Sequence, residues 1–410
     1  MIVVPLLLAA LAAPGSRIHH DAIVVDGHVD VPMNILELGL DPGESGAREG
    51  CFPATFHRIR PEAQRGAPWC TQFDFERART GGMDAAFFSI YIAADYVGRA
   101  PRDGGGAARR AFDMIAATRA VVARYPDRAV MASTADEVRR AAKDGRFAVL
   151  LGIEGGHAIE NSLAILRAFH AQGVRYMTLT HTNTNDWADS SGDAGKPGVQ
   201  RHGGLTDFGR EVVREMNALG MLVDVSHVAD ETFWDVIEAT RAPIIASHSS
   251  SRALTPHPRN VTDEMARAIA RNGGVVMLNF NEPFVGSGEA AMPAEARAKQ
   301  AELEALHGEG DRAEFEFNAW RAQHLPAVPV ERLAEHFAHL VEVAGIDHVG
   351  LGSDFDGVTL LPLGLESVDR LPRLTEALAA RGFDEASLRK LLGGNTLRVL
   401  EAAQRAARAD

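Results

Sequence analysis

The sequence predicts an α/β fold, a (β/α)8 barrel of TIM type with insertions after strands one and seven. Three observations carry that expectation. Eight short apolar, β-branched runs punctuate the chain, stretches with apolar residues three and four positions apart lie between them, and six of the eight runs finish on His, Asp or Glu. Alternating strand and helix signals are the pattern of βαβ units on a parallel sheet. Eight such units close a barrel whose chemistry collects at the C-terminal ends of the strands.

In order, the runs are IVVDGHVD (23–30), AAFFSIYIA (85–93), FAVLLGIEG (147–155), VRYMTLTH (174–181), MLVDVSH (221–227), PIIASHS (243–249), GVVMLNF (274–280) and HVGLGSDFDG (348–357). Each opens with aliphatic residues suited to a barrel interior. The second and seventh end in IYIA and LNF, without a comparable polar group. FGREVVREMNALG before the fifth run and LAEHFAHLVEVAG before the eighth have amphipathic helical periodicity. Residues 31–80 are rich in Gly, Pro and charge and read as loops and short helices over the barrel mouth. Residues 281–330 contain AEARAKQAELEALHGEGDRAEFEFNAWRAQ, which reads as a solvated helical hairpin, with a lid or dimer arm as the other reading.

Composition narrows the function. The 410 residues are 46% apolar and 24% charged, ordinary values for a folded chain. A net charge of -13 repels phosphate backbones and excludes nucleic acid as a partner. Cys51 and Cys70, the two cysteines, form at most one bridge and no thiolate zinc site. The opening MIVVPLLLAALAAPGS has the apolar run of an export signal, but the first basic residue is Arg17. Residues 1–20 therefore read either as an export signal or as an apolar N-terminal segment, with an exported or a cytoplasmic location following from each; residues 21–410 read as one domain. No stretch predicts a membrane-spanning helix.

The strand ends supply a metal-ligand set. His28 and Asp30, two residues apart, share one strand face. Glu154 leaves an apolar strand among glycines, where an unpaired carboxylate would be costly. His227 and His248 end the fifth and sixth runs. Placed at one end of one barrel, His28, Asp30, Glu154, His227 and His248 converge on one volume. Three imidazoles and two carboxylates without thiolates suit zinc or a similar divalent ion, and five donors exceed what one open catalytic zinc needs. Two metals follow, with Glu154 as the natural bridge.

The successive segments DGHVDVP, GIEGGHAIENSLAILR, VRYMTLTHTNTNDWADS, VDVSH, ASHSSSRAL, RNVTDE and GLGSDFDGV, spread over residues 26–358, resemble the motifs of the renal (membrane) dipeptidase family of the amidohydrolase superfamily. The resemblance implies a metallo-dipeptidase holding two Zn2+, dimeric, acting on dipeptides. It implies that His28 and Asp30 bind one zinc, that His227 and His248 bind the other, and that Glu154 bridges. It further implies that His181, Arg259 and Asp354 contact the substrate.

Chemistry gives these residues roles in peptide-bond hydrolysis by a metal-bridging hydroxide. Two metals about 3.5–4 Å apart lower the pKa of a shared water and polarise a carbonyl. Asp354 would take the water's proton and pass it to the leaving amine, with Asp356 as its rival. His181 would stabilise the oxyanion. The Arg259 fork would read the C-terminal carboxylate. Asp224 and Ser226 would either orient His227 or make a plain strand hydrogen bond, and the polar loop HTNTNDWADSSGD would touch the substrate. The alternative is a related amidohydrolase acting on N-acyl amino acids or lactones. A Schiff-base aldolase needs a strand-end lysine, and none of the four lysines (Lys143, Lys196, Lys299, Lys390) lies at one.

Overall fold

A computed structural model describes residues 14–46, 51–60, 66–100, 105–286, 292–308 and 310–407. All eight expected strands are present: β1 Val25–Val29, β2 Ala85–Tyr91, β3 Phe147–Glu154, β4 Val174–Thr178, β5 Leu222–Asp224, β6 Ile245–Ala246, β7 Val275–Leu278 and β8 Val349–Leu351. Each pairs in parallel with its sequence neighbours, and β8 pairs with β1, so the sheet closes into a barrel. A further short strand, Ala129–Met131, adds to the start of β3.

Alternation along the strands separates two apolar layers. Phe87, Leu150, Tyr176, Leu222, Ile245 and Met277 form one cluster, which the C-terminal helix Asn395–Ala406 joins through Leu397, Leu400 and Ala403. Phe88, Leu151, Met177, Val223, Ala246 and Leu278 belong to the larger cluster shared with the surrounding helices. Inside the barrel, large residues lie against absent side chains. A Cβ on Gly152 would sit 2.1 Å from Tyr176 Cζ, and one on Gly27 would sit 2.4 Å from Met277 Sδ. The connecting helices carry the expected stop and start signals. Asp207–Leu219 begins at Thr206, whose hydroxyl accepts from the Gly209 N–H, and ends at Gly220 with a left-handed φ of 71°.

Residues 1–13 lie outside the described residues; Pro14–Asp21 is a helix whose buried His19 bonds Thr375 Oγ1 and the Gly81 carbonyl. No helix among the described residues is long and apolar enough to cross a membrane.

Both insertions cover the mouth. In the first, Phe52–Pro53 pairs with Trp69–Cys70, and a Cys51–Cys70 disulfide closes the segment at a separation of 19 residues. Loop closure of that size stabilises by about 3 kcal/mol. In the second, helices Ala294–His307 and Asp311–His324 form the expected hairpin. It is not solvated on every side. Met292, Ala296, Leu303, Ala313 and Phe317 make a small core of their own, and Phe315 lies 5.3 Å and 5.1 Å from the rings of Phe52 and Phe56. Apolar residues interleaved with the charges let the hairpin pack down as a roof.

Candidate active site

The strand ends bring the five expected ligand residues together around Glu154. Its Oε1 lies 3.1 Å from His227 Nε2 and 3.4 Å from His248 Nε2, and its Oε2 lies 3.5 Å from His28 Nε2. Asp30 Oδ2 is 3.3 Å from the same His28 nitrogen. The pairing of β1 with β2 shifts register between Asp26 and Val29, an irregularity of the kind that re-aims a side chain. His28 sits at that step. His227 has a φ of 68°, a conformation costly for a residue with a side chain. Both backbone departures occur at expected ligand positions.

The electrostatics are those of a cation site. Burial alone would raise the Glu154 carboxyl, but His28, His181, His227 and His248 hold it well below the usual carboxylate range. Burial drives His227 and His248 well below the ordinary imidazole value, with Arg259 adding to the effect, so both rings are neutral and offer lone pairs. Their Nε2 atoms face each other at 2.9 Å. His28 is pushed the other way: its burial is outweighed by Tyr176, Glu154 and Asp30. His28 Nε2 is buried and makes no hydrogen bond. A divalent ion would be held between these nitrogens and carboxylates and would add positive charge beside Glu154 and Asp30, so the donor set fits a metal. Three overlapping groups have ligand atoms close enough for one ion: His28 with Asp30 and Glu154, Glu154 with His181 and His227, and His28 with His248 and Asp354.

Several supporting residues escaped the sequence reading. Tyr176, inside the barrel on β4, places its hydroxyl 2.8 Å from His28 Nδ1. The expected role of Asp224 is redirected. Asp224 accepts from Ser247 Oγ at 2.6 Å, and Ser247 Oγ lies 2.7 Å from His248 Nδ1, so the chain orients His248. Ser226 likewise accepts from the His248 N–H, while His227 Nδ1 has no hydrogen-bond partner. The two strands that end without His, Asp or Glu still hold the site through smaller groups. Ser89 on β2 donates to Glu154 Oε2 at 3.2 Å, and Asn279 just past β7 donates to Asp354 Oδ2 at 2.8 Å. Short neutral side chains on those strands carried no ligand signal.

A cavity of about 500 Å³ opens onto the cluster, within the range of small-molecule sites. Asp30, Glu154, His181, His227, Arg259 and Asp354 line it. The first insertion adds Thr55, Phe56 and His57, and the hairpin adds Gly310 and Glu314. Buried Arg259 is lowered only to about 10 and stays charged. Two of its N–H groups reach Ser249 Oγ and the His248 carbonyl, leaving three. Burial lifts Asp354 to about 7, with Asp30 and Glu154 pushing the same way and His28 opposing. Asp356, its rival, is not in this cavity; its side chain turns into the first insertion, toward Gln72. The polar loop after β4 is also corrected. Of residues 181–193 only His181 and Thr182 line the cavity, because Asn185 and Asp189 are occupied in holding backbone N–H groups of the loop region itself.

With this geometry established, comparison with known proteins decides the family. The membrane dipeptidase model, peptidase family M19, matches residues 13–410. The chain belongs to that family. As a membrane dipeptidase family member it is a hydrolase, a metallo-dipeptidase. It is 32% identical to the dipeptidase verJ of Clonostachys rogersoniana over 94% of this chain and 85% of that one. It is 36% identical to the dipeptidase aclJ of Aspergillus oryzae over 82% and 71%. A metallopeptidase of Rhodobacter sphaeroides, solved with a phosphinate mimic of the dipeptide L-Ala-D-Ala, superposes with a TM-score of 0.69 at 27% identity, covering 93% of this chain and 100% of that one.

Proposed function

We propose that this family member hydrolyses the peptide bond of dipeptides with two zinc ions. His28 and Asp30 would hold one, His227 and His248 the other, and Glu154 would lie between them. The observation that carries the reading is the convergence of four of these donors on the fifth, Glu154, at the floor of a cavity that also holds Arg259. When bound, the ions supply an activated water and polarise the scissile carbonyl.

The chain's own residues do the rest. Arg259, with three N–H groups to spare, pairs with the substrate's C-terminal carboxylate and fixes the dipeptide's register. A longer peptide puts an uncharged amide there. His181 Nε2, 3.8 Å from Glu154 Oε1, stands where it can donate to the oxyanion of the tetrahedral intermediate. Asp354, anchored by Asn279 through one oxygen and presenting the other 3.9 Å from His28 Nε2, takes a proton and returns it to the leaving amine. The Rhodobacter sphaeroides relative's ligand, a dipeptide mimic, supports the substrate class.

The test is metal analysis together with a panel of dipeptides carrying L or D residues at the second position, set beside tripeptides, N-acyl amino acids and lactones. Two zinc ions per chain and amino-acid release from dipeptides are expected. No release from any dipeptide, or turnover confined to N-acyl amino acids or lactones, refutes the assignment.

A further inference from the structure

The loop after β8 carries two buried aspartates, and the fold turns them in opposite directions. Asp354 faces the ligand cluster. Asp356 lines a separate small cavity with Val31, Asn34 and Trp69. Gln72 and Asp356 grip each other reciprocally. The Gln72 N–H donates to Asp356 Oδ1 at 2.6 Å, and the Asp356 N–H donates to Gln72 Oε1 at 2.7 Å. Gln72 Nε2 then donates to the Val358 carbonyl at 2.7 Å, and Thr55 Oγ1 donates to the Asp356 carbonyl at 3.1 Å. Thr55 lies within the loop that the Cys51–Cys70 disulfide closes, and Gln72 follows its second cysteine by two residues in the same insertion.

The loop needs such holding. Asp354 and Asp356 have φ values of 67° and 66°, in the left-handed region that residues with side chains adopt at a cost. The packing against the metal ligands leaves no slack: a Cβ on Gly357 would lie 2.1 Å from Asp30 Oδ2 and 2.5 Å from Asp354 Oδ1. Released from Gln72 and Thr55, the strained turn relaxes and Asp354 moves relative to the cluster.

We propose that Asp356 is a positioning residue, which fastens the β8 loop to the disulfide-closed insertion and so aims Asp354 at the reacting centre. This rests on the reading of Asp354 as the proton-transferring group. Misplacing a reacting group by about 1 Å costs on the order of a hundredfold in rate.

The experiment measures kcat, KM, the pH-rate profile and zinc content of the holoenzyme in Asp356→Asn, Asp356→Ala, Gln72→Ala and Asp354→Asn. Asn keeps the oxygen acceptor and tolerates a positive φ, so Asp356→Asn is expected within about threefold of the wild-type kcat, with an unchanged pH profile. Asp356→Ala loses the acceptor and adds strain; Gln72→Ala loses the grip from the other side. Each is expected to lower kcat about 10- to 100-fold with KM and zinc content little changed. Should Asp356→Ala not fold, Gln72→Ala decides. A loss in Asp356→Asn as deep as in Asp354→Asn overturns the proposal, because Asp356 would then act chemically. Wild-type kcat in both alanine variants overturns it as well. Wild-type turnover in Asp354→Asn instead refutes the reading of Asp354, an outcome recognisable without either Asp356 variant.

Discussion

Replacing Tyr176 by Phe removes one oxygen from the barrel interior and leaves the aromatic packing in place. The ring is fully buried, 5.0 Å from that of Phe87, and the hydroxyl lies 2.8 Å from His28 Nδ1. His28 itself is buried, so its Nδ1–H would lose its partner with no water to replace it. An orphaned buried donor costs about 1–3 kcal/mol. Partners that orient metal-bound imidazoles are worth roughly 10- to 100-fold in metal affinity, which is about 1.4–2.7 kcal/mol, the same scale. We expect Tyr176→Phe to keep its circular dichroism spectrum and to bind one of two zinc ions about 10- to 100-fold more weakly in chelator competition, while the other is little changed. Wild-type affinity at both sites in a folded variant would show that the hydroxyl does not hold His28 for a metal.

The remaining expectations follow from the same geometry. Glu154→Ala should abolish hydrolysis and lower bound zinc below two per chain while the barrel stays folded; full activity refutes the bridging assignment. Arg259→Ala should raise KM for dipeptides about 10- to 100-fold and weaken discrimination against tripeptides, and an unchanged length preference counts against its role as carboxylate reader. His19, buried between Gly81 and Thr375, is lowered by burial to about 4. The folded state therefore binds fewer protons than the unfolded chain between about pH 6.5 and 4. Its contribution is complete above pH 6.5 and lost as the pH falls toward 4, at most about 3 kcal/mol. Urea midpoints at pH 7 and 4.5 should fall less in His19→Gln than in the wild type; equal falls refute the role given to His19.

The barrel was legible because aliphatic strand cores and amphipathic helices leave periodic traces, and all eight runs became strands. The clustering of the proposed ligand residues was legible because His and carboxylates at strand ends are rare and costly when buried without a purpose. What held them was not. Tyr176 drew no notice, since nothing in VRYMTLTH says where a hydroxyl ends. Asn279 and Ser89 carry no charge and therefore no signal of cost. Asp224 was noticed but attached to His227 through proximity in sequence, whereas a parallel sheet makes the neighbouring strand's Ser247 and His248 nearer in space. The loop after β4 misled for a related reason: Asn and Asp there spend their oxygens on local backbone N–H groups, as such residues commonly do in turns. Of the two aspartates after β8, their i, i+2 spacing gave no way to tell them apart; in the fold one faces the ligand cluster and the other is buried against Gln72 of the first insertion.

The missing side chain at Gly152 admits the Tyr176 ring. Replacing glycine by alanine in extended segments is a standard route to more heat-resistant proteins, since it narrows the denatured ensemble. Here that substitution would push an aromatic ring aside beneath His28, which its hydroxyl contacts. A library selected for thermal resistance alone should therefore differ from one selected for turnover most sharply at this position.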